Sequence, residues 1–217
     1  MCSFDCETAG LKPGDAVHVI SLWDTRAEKV AASFLEGTPH HELRALDALE
    51  AAPFLVSFNG AAFDFMMLSA RLEHTHDKRR AAALALDHYD LMMDFACGSG
   101  YFSSLLSFTQ GTLNEGKVST GAEAVQLWKN GEHAKVKEYC EDDARLTGKL
   151  YLHGKAYGRL HRRTAAGKKQ VWALPQSLFR TVSCAVAERE RDPPDVSWMK
   201  EPPDVTAGLA WAHNLVS

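Results

Sequence analysis

Four carboxylates come from three separated segments of this chain, each in a defined local setting. Asp5-Cys6-Glu7 comes first, Asn59-Gly60-Ala61-Ala62-Phe63-Asp64 second, and Tyr139-Cys140-Glu141-Asp142-Asp143 third. A hard divalent cation takes oxygen ligands, and two cations close together need several carboxylates to offset their charge. One D-x-E carries little weight and one Y-x-x-x-D less. All three in this order, each on a suitable element, point to a shared metal centre.

The local settings follow from periodicity. Residues two apart on a strand share a face, so Asp5 and Glu7 repel unless a cation bridges them. The plainer reading is an edge strand with two solvated acids. Val136, Tyr139, Asp143, Leu146 and Leu150 form a helical stripe that puts Asp143 on the core side. Asp142 falls beside Glu138, Arg145 and Lys149 on a solvated face. A buried carboxylate needs a partner, which is either a cation or a buried salt bridge. Asp64 repeats the pattern by sharing a face with Leu68, and Asn59 alone reads as a helix cap. Asp90 and Asp94 make another acid pair; Asp90 reads as a cap, with a ligand role in reserve.

The chain has 217 residues, 46% of them hydrophobic, which suits one substantial core. Strands are expected at 2–7, 16–24 and 29–35 as an antiparallel meander, then at 54–58 and 88–91. Helices are expected at 41–51, 60–72, 103–108, 122–128, 135–151 and 176–189, with a hairpin at 157–172. The tract 74–80 reads as a polar loop. Strands interleaved with helices predict an α/β layered fold with a mixed sheet. Residues 1–190 are expected to form one domain, and 191–217 a Pro-containing tail.

The net charge of −4 excludes a global basic field, so any nucleic-acid contact must be local. Five scattered cysteines without a C-x-x-C pair fit reduced thiols in an intracellular, cytoplasmic protein, with nucleoid or nucleus left open. No targeting segment or membrane span is read, so no membrane partner is expected. The ten histidines include no set at convincing ligand spacing. Residues 151–180 hold Lys155, Arg159, Arg162, Arg163, Lys168, Lys169 and Arg180 and no acid. That stretch is a candidate phosphate grip, against the plainer reading of a solvated hairpin with cationic edges. Lys78-Arg79-Arg80 is a weaker second stretch.

Phe4-Asp5-Cys6-Glu7-Thr8-Ala9-Gly10-Leu11 resembles the first motif of the DnaQ-like, RNase H-fold 3′–5′ exonucleases. Asn59 to Asp64 is similar to the second motif of family B DNA polymerase proofreading domains, and Tyr139 to Asp143 to the third motif of the tyrosine (DEDDy) subgroup. The resemblance spans about residues 1–152 and implies an RNase H-like three-layer fold. It implies two ions, Mg²⁺ or Mn²⁺, held by Asp5, Glu7, Asp64 and Asp143, with Tyr139 orienting the attacking water. It implies that Thr8 and Leu11 contact the terminal nucleotide and that Asn59 and Phe63 line the single-strand path. Arg162, Arg163, Lys168 and Lys169 are the candidate grip further along.

The expected function is a two-metal 3′–5′ exonuclease on single-stranded nucleic-acid ends, with DNA ahead of RNA. A polymerase or replication or repair protein is the expected partner. Competing readings are a catalytically idle RNase H-fold binding module and an RNA-directed exonuclease.

Overall fold

The computed structural model describes residues 1–116, 121–174 and 180–217. Val17-His18-Val19-Ile20-Ser21-Leu22-Trp23 is a nearly unbroken apolar run, as a strand covered on both faces requires. It forms β2 (Val17–Asp24), which pairs antiparallel with β1 (Cys2–Thr8) on one side and β3 (Lys29–Leu35) on the other. After α1 (His41–Glu50), β4 (Leu55–Ser57) adds to β1 in parallel, and α2 (Asp64–Arg71) and α3 (Thr75–Leu86) follow. β5 (Tyr89–Asp90) completes the mixed sheet in the order β3-β2-β1-β4-β5. The half-exposed β3, with Lys29 at its start, takes one edge.

Phe4 and Cys6 of β1 pack with Leu46, Phe65 and Met67 of α1 and α2. The opposite face receives α4 (Leu91–Ser99), α5 (Leu105–Phe108), α6 (Gly121–Lys129) and α7 (His133–Tyr157). α7 lies very close to the sheet. A Cβ on Gly148 would come within 2.6 Å of Ser3 Oγ and the Trp23 ring. Ser3 Oγ donates to the Ala144 carbonyl at 2.6 Å, and the Cys140 thiol donates to the Asp5 carbonyl at 3.2 Å. α7 ends at Gly158, whose φ of +65° supplies the left-handed cap that a side chain resists. Beyond it lie the hairpin β6 (Arg159–Arg163) and β7 (Lys169–Ala173), then α8 (Val182–Arg191) and α9 (Ala210–Val216).

Three expectations need correction. The polar tract 74–80 is the first part of α3, not a loop. Arg79 is exposed and Lys78 half-buried, while Asp77, Ala81, Ala82 and Ala85 are buried, and Arg80 bonds Asp77, Asp47 and Glu50. The stretch after 190 is not a bare tail. Leu209 and Ala212 join the core, and the Trp211 indole donates to the Ala61 carbonyl at 3.2 Å. The helix expected at 176–189 begins only at Val182; residues 176–179 of that expectation lie outside the described residues.

Gly148→Ala forces α7 off the Trp23 ring and should cost about 1–3 kcal/mol, the usual range for overpacking. Urea unfolding should show a lower midpoint at unchanged slope. An unchanged midpoint would mean that the helix relaxes away at no cost.

Candidate metal centre

The sheet itself opens the cleft. The Cys2 N–H donates to the Phe54 carbonyl, so even-numbered amides of β1 point toward β4. β4 ends at Ser57, and along β1 it pairs with Cys2 and Ser3. Further along β1 the Cys6 N–H therefore has no strand beside it. Asp64, at the first turn of α2, takes that place: its Oδ1 accepts the Cys6 N–H at 2.9 Å. A crevice at the carboxyl ends of parallel strands is where open α/β sheets place ligands.

The cleft has a volume of about 460 Å³, and all four predicted carboxylates line it, as do Thr8, Leu11, Asn59, Phe63 and Tyr139. Asp5, Glu7 and Asp143 each bring a carboxylate oxygen within 4.8 Å of the others. Asp143 is 3% exposed and Glu7 is buried. Asp5 Oδ2 and Asp143 Oδ1 are out of water altogether. Like charges crowded out of water favour a cation, and an all-oxygen donor set suits a hard one. The trio thus fits a divalent metal ion.

Asp64 stands outside that trio but in the same cleft. Burial raises its carboxyl to about 6, and the charge of Asp90 pushes the same way, while the hydrogen bonds with Cys6 oppose it. A nearby cation would pull it back down. The Cys6 and Cys140 thiols are pushed well up by burial, then by the carboxylates around them. Both stay protonated, so neither is a reactive thiolate.

The remaining residues are placed by the loops. Thr8 Oγ1 donates to the Gly10 carbonyl at 2.6 Å, and the turn that follows leaves Leu11 79% exposed at the cleft mouth. Asp142 sits outward and pairs with Arg145. Arg162, Arg163, Lys168 and Lys169 do not line this cleft. Arg162 lies over the Tyr101 ring at 4.9 Å and donates to its hydroxyl, and Arg180 is held by Asp94 and Glu188.

Asn59 does not cap α2. It takes φ +74°, a left-handed conformation asparagine tolerates, and the turn it starts is held by Asp90. Asp90 is 1% exposed. It accepts the N–H of Asn59 and Ala61 at 2.9 Å each, besides capping α4 through Met92 and Met93. Its carboxylate is therefore turned to the backbone rather than into the metal trio. The capping half of this role was readable as an acid before an apolar run. The half that fixes the turn of Asn59 spans 31 residues and left no local signal.

Asp90→Ala would strand three buried donors and the half-buried Asn59 N–H, and should cost more than about 3 kcal/mol, since each lost buried partner costs about 1–3. Amide hydrogen exchange should quicken first at Asn59 and Ala61. If those two amides keep their protection, something else holds the turn.

No curated protein matches the chain in sequence. The family model RNase_H_2, described as RNase_H superfamily, matches residues 2–153, a span from β1 into α7 that includes every carboxylate of the cleft. The mixed five-stranded sheet with helices on both faces agrees with that match. The chain belongs to this family of the RNase H superfamily, whose fold typically serves nucleic-acid hydrolysis with divalent metals.

Proposed function

We propose that the protein is a 3′–5′ exonuclease that hydrolyses the terminal phosphodiester bond of a single-stranded nucleic acid. The observation that supports this most is the convergence of Asp5, Glu7 and Asp143 at the end of the central strand, with Asp64 and Tyr139 in the same cleft. Two divalent cations, Mg²⁺ or Mn²⁺, held by Asp5, Glu7 and Asp143 with Asp64 completing the set, would supply a nucleophilic water and offset charge on the phosphoryl group.

The chain's own residues divide the remaining work. Tyr139 and Asp143 are one helical turn apart on α7, so the phenol stands beside the acidic trio. A free tyrosine, with a reference pKa of about 10, is a poor base at neutral pH, so the role given to Tyr139 here is to orient water through its hydroxyl. Leu11, projecting at the mouth, suits a wedge against the terminal base, and Thr8 a polar contact beside it. Asn59 and Phe63 offer an amide and an aromatic ring to the incoming strand. Delivery of a frayed 3′ end by a polymerase or another replication or repair protein fits this reading. Among the described residues no helix is long and apolar enough to cross a membrane.

The test is incubation with 5′-labelled DNA and RNA oligonucleotides in Mg²⁺, Mn²⁺ or EDTA. The expected result is a ladder shortening from the 3′ end with either metal and none in EDTA. Internal fragments alone would sink the exonuclease assignment, and binding without any cleavage would favour an idle module.

Asp5→Ala should abolish cleavage, with little loss of stability because mutual repulsion among the acids is relieved. Asp143→Asn should cost at least about 100-fold, since even residues behind metal ligands are worth about 10–100-fold. Asp142→Asn, on the outer face, should stay within about twofold of the parent. Equal losses at 142 and 143 would mean that α7 presents a different face to the cleft.

A further inference from the structure

A second groove, of about 690 Å³, runs between α5 and the β6–β7 hairpin. Its walls are fixed. Gly111, in the π-helical turn Thr109–Leu113, lies so close to β6 that a Cβ there would come within 2.4 Å of the His161 carbonyl. Thr112 Oγ1 donates to that carbonyl and accepts the His161 N–H, and Ser107 Oγ donates to the Arg163 carbonyl. The hairpin is thus clamped to α5 along one edge.

The lining is cationic and rich in donors. Among the described residues it includes Arg162 and Arg163 and no acid. The adjoining cavity shares Arg163 and contains Glu115, but that carboxylate is neutralised by Arg145 and Lys149 at 2.9 Å each. Ser104 Oγ accepts the Ser107 N–H and Thr164 Oγ1 accepts the Lys168 N–H, which leaves each hydroxyl hydrogen to donate. Arg162 is engaged by Tyr101, so among the described residues the exposed Arg163 is the lining cation left for a ligand. Phe102, next in the chain to the lining residue Ser103, is 45% exposed, and Leu106, in the lining, 36%. Lys168 and Lys169 are exposed but outside the lining. Donors for phosphate beside an apolar rim for bases are what a single strand needs.

The groove also has a physical connection to the cleft. Phe58 lines the cleft, and its ring meets Phe108 of α5 at 5.9 Å. The groove therefore lies about one helix diameter, roughly 10–12 Å, beyond the cleft wall.

We propose that this groove is a second subsite for single-stranded nucleic acid, in which Arg163 and the hydroxyls of Ser104 and Thr164 hold phosphates and Phe102 carries a base. It takes the part of the strand about three to four nucleotides beyond the cleft wall, at about 3.4 Å per stacked nucleotide. This assignment rests on the exonuclease reading for the strand's direction, but its contacts are testable without cleavage. It narrows the four-cation hairpin grip to one arginine and its hydroxyl neighbours.

The test measures anisotropy of 5′-fluorescein-labelled oligo(dT) of twelve and of three nucleotides in EDTA, followed by KM values for both in Mn²⁺. Arg163→Ala should weaken binding of the 12-mer about tenfold and lower its log–log salt slope by about 0.7, the value of one phosphate contact on a single strand. KM for the 12-mer should rise in step at unchanged kcat, and the 3-mer should behave as with the parent. Phe102→Ala should cost at least about fivefold on the 12-mer, the low end for one stacked base. Lys168→Ala should change nothing beyond twofold. Unchanged 12-mer binding in Arg163→Ala, or an equal loss in Lys168→Ala, overturns the subsite while leaving cleavage at the metal centre intact. Polyphosphate that competes as well as the 12-mer, with Phe102→Ala silent, marks a general anion site and overturns it too. Arg163-dependent binding with no cleavage in Mn²⁺ sinks the exonuclease reading and leaves the groove standing.

Discussion

The Cys6 N–H bonded to Asp64 is the contact on which the site depends. β1 runs on after its parallel neighbour β4 has stopped, and an amide at that point needs an acceptor. A water would satisfy it as readily. The chain instead brings a carboxylate from α2, which pins the second acidic segment to the first. The cleft thus arises because two parallel strands end at different places and a side chain fills the gap.

The other wall is set by how tightly α7 lies on the sheet. Gly148 removes the side chain that would lift the helix, and Ser3 and Cys140 tie helix and strand together from both sides. These contacts fix the height of Asp143 above Asp5 and Glu7. Close packing stabilises a cluster that electrostatics opposes, because crowded carboxylates favour a looser structure until a cation offsets them. The acidic trio is therefore a local conflict that the fold sustains by packing around it, as binding sites commonly do.

A buried polar network supports the turn between these walls. Gly60 N–H donates to Ser57 Oγ, and Ser57 Oγ meets His88 Nε2 at 2.7 Å. His88 Nδ1 is 2.9 Å from the Leu84 carbonyl, and burial lowers its pKa, so it is neutral and links β4 to α3. Asp90 holds the same turn from β5, and Trp211 holds it from α9. Two distant parts of the chain, residues 84–90 and Trp211, thus converge on one short turn. A satisfied network of this kind orders what it surrounds, whereas one missing partner leaves a buried donor stranded.

The sequence alone determined the acids and the elements that carry them. Strand alternation put Asp5 and Glu7 on one face, and the stripe of Val136, Tyr139, Leu146 and Leu150 separated Asp143 from Asp142, because both patterns are local and follow fixed periods. Only the tertiary structure decided which polar groups serve the fold. Arg162 and Arg180 looked equal to Arg163 in an acid-free stretch, but Tyr101 and Asp94 claim the first two from distant positions. Asp90 caps α4 as its local pattern says, but its hold on the turn of Asn59 shows only in the fold, and the residues after 190 looked like a tail until Leu209 joined the core and Trp211 met Ala61. In each case the deciding partner lies tens of residues away, and a local period carries no record of what the chain folds back to meet.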